Sequence, residues 1–271
     1  MPLPSHIYDR EYFLSDKCEG FDRFRDDRGL SPIKTAQVQA LDPRPGTRVL
    51  DAGCGRGEVL LACARKGARV AGIDYADAAV EIAREVLAGV DGAEVCQGDV
   101  TALPWPDASF DRALFADVIE HLDPEQADAA LAELRRVLKP GGRLLVHTSP
   151  NRLFLDVTWP LARRLLRAAG HAATARGLDD WIEASHSYHL NEQSLYSLRR
   201  ALRSAGFHAP RVWINSDVLR GGEHHLTRGF GESATLRRVE RLAGSRPLRL
   251  LLGNDLYALA ERPQPDLPSG G

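Results

Sequence analysis

The sequence predicts an α/β fold, a doubly wound and mostly parallel sheet of seven strands. Two observations carry that reading. From Thr47 onward, short apolar runs alternate with amphipathic stretches, and such alternation implies parallel strands joined by right-handed crossovers. The first apolar run also breaks into Gly53, Gly55 and Gly57 just before a helical pattern begins.

Each element follows in order. Val49–Ala52 is a short buried strand, and the glycines after it lead into a helix through Ala64. Arg69–Ile73 is the second strand. Val80, Ala83 and Leu87 recur at helical spacing. Glu94–Gln97 and Phe110–Ala116 supply the third and fourth strands. Asp123 and Gln126 have capping-box spacing, Pro124 suits a first helical position, and Leu131, Leu134 and Leu138 line one face. Lys139-Pro140-Gly141-Gly142 should stop that helix, with Arg143–His147 as the fifth strand. A helix over Glu192–Ala205 precedes two last strands, Val212–Asn215 and Leu256–Ala260.

Around this core the chain divides into further parts. Residues 1–45 are aromatic and charged and should form short helices, one near Pro32–Leu41, capping the core of residues 46–150. Residues 151–190 are basic, aromatic and loop-like, too long for an ordinary connection, and so suggest a lid or substrate-facing insertion. Residues 191–262 complete the sheet. The tail 263–271, with three prolines and two glycines, should be disordered.

Bulk properties narrow the function. The 271 residues are 44% apolar and 27% charged, with 35 basic against 37 acidic groups and a net charge of −2. That balance gives no large positive field, so nucleic acid and anionic membranes are not favoured partners. The amino terminus lacks the basic and apolar regions of a signal peptide, and no apolar run approaches the roughly 18 residues of a membrane helix. Cys18, Cys54, Cys63 and Cys96 show no CxxC spacing, which fits reduced thiols and a cytoplasmic setting.

The sharpest motif is Asp51-Ala52-Gly53-Cys54-Gly55-Arg56-Gly57. Glycines there allow a tight turn and close approach of a ligand. A nicotinamide fingerprint would have its third glycine at position 58, which is Glu58, so a dehydrogenase is disfavoured. Asp74 ends the second strand, where a carboxylate can hold a ribose diol. Asp99 follows the third strand, where it can accept a hydrogen bond from an exocyclic amine.

These motifs together resemble the class I, Rossmann-like S-adenosylmethionine-dependent methyltransferases, with a core like that of the ubiquinone-pathway O-methyltransferases. The resemblance covers residues 45–150 and includes Phe110-Asp111 and Leu134–Gly142. It implies S-adenosylmethionine as cofactor, held by Asp51, Gly53, Gly55, Gly57, Asp74, Tyr75, Asp99, Val100 and Asp117. It also implies that Gly253-Asn254-Asp255-Leu256-Tyr257 enters a final antiparallel strand.

Chemistry should occur at the end of the fourth strand, at Asp117-Val118-Ile119-Glu120-His121. If the chain turns helical there, residues 117, 120 and 121 share one face. His121 is then a candidate general base, with Asp117 and His186 as further catalytic candidates. Alternatively Asp117, Glu120, His121 and His186 (or His189) bind Mg²⁺ or Mn²⁺. That acid-x-x-Glu-His pattern resembles metal-dependent ubiquinone-pathway enzymes and small-RNA ribose methyltransferases, although Asp117 stands where those carry Glu. His147 reads as a satisfied core histidine, Trp105 as a candidate adenine neighbour or a core residue, and Arg163, Arg164 and Arg167 as an exposed helical face. Arg220 with Glu223-His224-His225 is a weaker candidate anion site. The expected activity is O-methylation of a small molecule. The alternatives are C-methylation of an isoprenoid diphosphate, RNA ribose methylation, and a non-catalytic binding module.

Overall fold

In the computed structural model, seven strands form one sheet in the order β3-β2-β1-β4-β5-β7-β6. They are β1 Arg48–Ala52, β2 Arg69–Asp74, β3 Glu94–Gln97, β4 Phe110–Ala116, β5 Leu138–Thr148, β6 His208–Ile214 and β7 Leu256–Glu261. The structure describes residues 7–186, 188–214 and 253–264, without the side chains of residues 174, 181 and 184–186. Arg220, Glu223, His224, His225, Asn215, the side chain of His186 and residues 265–271 lie outside that description.

The expected sheet is borne out. β1 pairs in parallel with β2 on one side and β4 on the other. β7 runs antiparallel to both β5 and β6. Successive residues of a strand feed opposite faces. Leu50, Leu144 and Val146 join one core layer, with Leu131 and Leu134, while Val49 and Leu145 join the other, with Leu60 and Ile82. Two buried faces explain why these strands read as continuous apolar runs rather than alternating ones.

The helices are α1 Arg10–Phe13, α2 Phe21–Asp27, α3 Pro32–Leu41, α4 Glu58–Arg65, α5 Asp77–Val86, α6 Pro124–Val137, α7 Trp159–Ala168, α8 Ala172–His186 and α9 Leu195–Ser204. The capping box forms at α6: the Asp123 carboxylate accepts from Gln126 N, and the Gln126 side chain accepts from Asp123 N.

Two expectations need correction. Lys139–Gly142 is not a separate stop. β5 begins at Leu138, whose backbone is already extended, and a register irregularity between Phe110 and Arg112 absorbs the glycine-rich stretch. Residues 151–190 are helical rather than loop-like. A π-helical turn over Phe154–Thr158 leads into α7 and then α8 around a small core of Phe154, Leu155, Trp159, Ala175 and Ile182. Leu155, Trp159, Ala162 and Leu166 recur at helical spacing beneath the basic composition. Arg163 and Arg167 both reach Asp179 of α8, tying the two helices together.

The N-terminal helices are attached through one buried ion cluster. Arg56, in the glycine loop, donates to the carbonyls of Phe13 (2.8 Å) and Glu19 (2.6 Å) and to Glu58 Oε1 (2.7 Å). Lys34 of α3 reaches the same Glu58 oxygen. Burial alone would raise the Glu58 carboxyl, but Lys34 and Arg56 outweigh it and hold it at about 2. Because the folded value lies below the ordinary 4.5, this stabilisation is present above about pH 4.5 and fades as pH falls toward about 2. Glu58→Gln leaves the buried Arg56 and the half-buried Lys34 short of their counter-charge. It should lower stability in urea by about 3–5 kcal/mol near neutral pH, with the gap to wild type narrowing in acid. An equal gap at both pH values would refute this account.

Candidate active site

The sheet's strand order reverses between β1 and β4, so the chains leaving their carboxyl ends diverge and open a crevice. The glycine loop crosses this point with positive φ at Gly53 (86°), Gly55 (49°) and Gly57 (78°). A Cβ at Gly53 would collide with the Val118 side chain, and one at Gly57 would press on Ala83 of α5 at 3.0 Å. Gly53 thus keeps the crevice open, and Gly57 lets α5 pack closely.

The crevice is a cavity of about 270 Å³. Asp51, Gly53, Gly55, Asp74, Tyr75, Asp99, Val100 and Asp117 all line it. Gly57 does not, because it is turned toward α5. Asp74 is 6% exposed; Oδ2 accepts from Gly55 N (2.9 Å) and Oδ1 from Ala76 N (3.0 Å). The residue therefore braces the glycine loop as well as facing the cavity. Burial raises its carboxyl above the ordinary value, against the pull of those amides. Asp99 accepts from Thr101 N at 2.8 Å. Trp105 takes no part: it is buried against Phe110 and donates to Glu94.

Tyr8, Tyr12 and Phe13, from the N-terminal segment, also line the cavity. Tyr8 packs edge-on to Tyr12 (4.9 Å between centroids) and Tyr75 (5.7 Å). Burial, with the Glu120 charge, raises the Tyr8 hydroxyl to about 12, so it stays protonated. Sequence reasoning missed Lys34 and Gln37 of α3, which line the same cavity. Gln37 is 1% exposed, and its amide nitrogen has no hydrogen-bond partner among the described residues. Their one-turn spacing behind the N-cap Ser31 was the available signal.

Beyond β4 the chain does not simply turn helical. Asp117 adopts φ +56°, and a short 3-10 turn covers Ile119–His121. Asp117 consequently parts from Glu120 and His121. Its Oδ1 lies 2.8 Å from His147 Nδ1, and its side chain is 43% exposed, into the cavity. His147 is therefore a buried partner of the site rather than a plain core histidine. Burial would raise the Asp117 carboxyl, yet His147 outweighs it and holds it low. Glu120 is buried, accepts from the Thr148 hydroxyl (2.8 Å), and is raised to about 8 by burial and by Asp117.

His121 faces the cavity with Nδ1 3.0 Å from the Tyr188 carbonyl and 3.5 Å from the Tyr8 hydroxyl. Burial lowers it, so the imidazole is neutral near pH 7. A proton on Nδ1, donated to that carbonyl, leaves Nε2 as the acceptor. The His189 ring lies 4.9 Å from His121, centroid to centroid. Among the described residues, Glu120, His121 and His189 each offer one ligand atom within 4.8 Å of the others. Asp117 is not in that group.

Comparisons with known proteins match this geometry. Residues 49–142 match a family described as a methyltransferase domain. A demethylmenaquinone methyltransferase of Tropheryma whipplei (strain Twist) is 31% identical over 173 residues, covering 59% of this chain and 70% of the relative. The chain belongs to the S-adenosylmethionine-dependent methyltransferases. A ubiquinone biosynthesis O-methyltransferase of Paracidovorax citrulli (strain AAC00-1) is 36% identical over 46% of this chain and 53% of its own length. A Haemonchus contortus phosphoethanolamine N-methyltransferase 2, solved with S-adenosyl-L-methionine, shares the fold: TM-score 0.61 and 17% identity over 94% of this chain and 60% of that one. The chain spans about half the length, or less, of the first curated relatives it matches. No helix among the described residues is long and apolar enough to cross a membrane.

The residues present fit the family's cofactor: a glycine cradle a side chain would fill, and buried acids at the ends of β1 and β2. Asp74→Asn keeps the side chain's shape while removing its charge. Cofactor affinity should fall at least about 10- to 150-fold, the loss of one charged hydrogen bond, because the amide nitrogen also loosens the loop by facing the Gly55 or Ala76 N–H. Unchanged affinity by calorimetry would contradict the role of Asp74.

Proposed function

We propose that this chain methylates a hydroxyl group of a small aromatic acceptor of the quinol type. The observation that carries the reading is a single cavity lined both by the glycine loop with Asp74 and Asp99 and by Asp117, His121 and Tyr8. S-adenosylmethionine, when bound, supplies a methyl group activated by the sulfonium. What the protein must add is alignment and, for a hydroxyl, a proton acceptor; alignment alone can supply roughly 7–11 kcal/mol of the barrier.

The chain's residues divide that work. Gly53 and Gly55 leave room for the cofactor's methionyl part, and Asp74 and Asp99 offer acceptors for its nucleoside. Asp117, an ionised carboxylate beside the Asp51 and Lys34 end of the cavity, matches the cofactor's ammonium. Tyr8, Tyr12, Phe13 and Tyr75 offer faces and edges on which a planar ring packs. His121 takes the acceptor's proton on Nε2, with Nδ1–H held by the Tyr188 carbonyl. The quinone-pathway names of two relatives support the acceptor class.

His121→Ala should lower kcat by about 10²–10⁴-fold and leave cofactor affinity near wild type. Because burial lowers the imidazole, wild-type turnover should hold at neutral pH and fall only as pH drops below the ordinary imidazole range. Wild-type turnover in the alanine variant, tested on a panel of catechols and quinols, would remove His121 as the base.

One observation favours a second reading, in which Glu120, His121 and His189 hold a divalent cation. Such an ion would act as a Lewis acid on the acceptor oxygen. On that reading, prolonged treatment with chelator abolishes turnover and Mg²⁺ or Mn²⁺ restores it. Full activity after chelation rejects it.

A further inference from the structure

His147 has no part in the steps above, yet its surroundings differ from those of an ordinary core histidine. It sits on β5, 1% exposed, between β4 and β7. Nδ1 lies 2.8 Å from Asp117 Oδ1, and Nε2 lies 3.5 Å from Asp255 Oδ1, whose side chain is 3% exposed. Both are close nitrogen–oxygen contacts whose angles are not those of an aligned hydrogen bond. The Tyr257 ring packs against the imidazole, 4.6 Å away between centroids and tilted by 57°. Of these four side chains, Asp117 lines the cavity.

A neutral ring here would leave the buried Asp255 carboxylate, and the inner oxygen of the half-exposed Asp117, with no counter-charge between them, which is disfavoured. A protonated ring leaves the trio with one net negative charge. The left-handed backbone at Asp117 turns its side chain toward β5 instead of along the 3-10 turn. One carboxylate oxygen then faces the imidazole.

We propose that His147 and Asp255 form a buried clamp behind Asp117, keeping its carboxylate ionised and oriented with its second oxygen toward the cavity. They are positioning residues, acting through Asp117, and the idea rests on the anionic role proposed for that residue. Other groups face the clamp from each packed element. Tyr257 lies on β7, Lys34 of α3 favours an ionised Asp117, and Glu120 of the 3-10 turn bonds to neighbouring Thr148. Burial would push the imidazole down, but the two carboxylates outweigh it and raise it well above its ordinary value.

Imidazole nitrogen NMR on the whole protein tests this without any ligand, His147 being assigned by its loss in His147→Gln. In wild type the ring should be doubly protonated at neutral pH. Asp117→Asn or Asp255→Asn should each bring its midpoint down by about one pH unit or more. A neutral His147 in wild type near pH 7 overturns the proposal. Calorimetry with S-adenosylmethionine gives a second reading. His147→Gln should weaken binding about tenfold, and more as pH falls, because Asp117 without the imidazolium takes up a proton more readily. On an Asp117→Asn background it should add nothing. A pH-independent loss that adds fully also overturns the clamp. An imidazolium in a protein that takes up no cofactor supports the clamp and overturns the methyl-transfer reading instead.

Discussion

The hydrogen bond from Gly55 N to Asp74 holds the site together. It ties the loop leaving β1 to the end of β2, at the point where the sheet reverses its strand order. Gly53 N and Cys54 N meanwhile donate to the Ile73 carbonyl, so three successive amides of the loop are anchored on the last two residues of β2. A loop fixed at this density does not need a ligand to define its path. The crevice is therefore an outcome of sheet topology first and of side chains second.

Charge placement follows from that crevice. Asp51, Asp74 and Asp117 approach it from three adjacent strands, and each is backed differently. Asp51 is buried deeply enough that its carboxyl is pushed well up. Asp74 is satisfied by backbone amides. Asp117 stands against an imidazole. Graded backing of this kind lets several acids share one low-dielectric cavity without all being ionised together. What remains is a pocket with modest negative charge and largely apolar walls, complementary to a compact cation carrying a nucleoside.

Much of this was legible in the sequence because it is local. The bounds of β3 and β4, the α6 capping box and the strand-end acids Asp74 and Asp99 all depend on residues a few positions apart. The rest depends on pairings across distant segments. Asp117 meets His147 because β4 and β5 pair with Ala116 opposite His147, and Asp255 arrives because β7 then sets Tyr257 opposite the same histidine. No spacing rule in one chain announces a register between residues so far apart. Arg56 was equally hidden: inside the motif it looks like a loop residue, and its carbonyl partners belong to a segment about 40 positions earlier.

Arg56 also explains why the roof and floor of the cavity behave as one unit. Its guanidinium lies over the Phe24 ring at 4.9 Å while bonding the carbonyls of Phe13 and Glu19. Tyr8 and Tyr12 sit just before those carbonyls. Lifting the aromatic roof would therefore require uncovering a fully buried cation and separating it from Glu58, which is a large barrier. The glycine loop and the aromatic segment are thus joined into one packed unit through the Arg56 guanidinium.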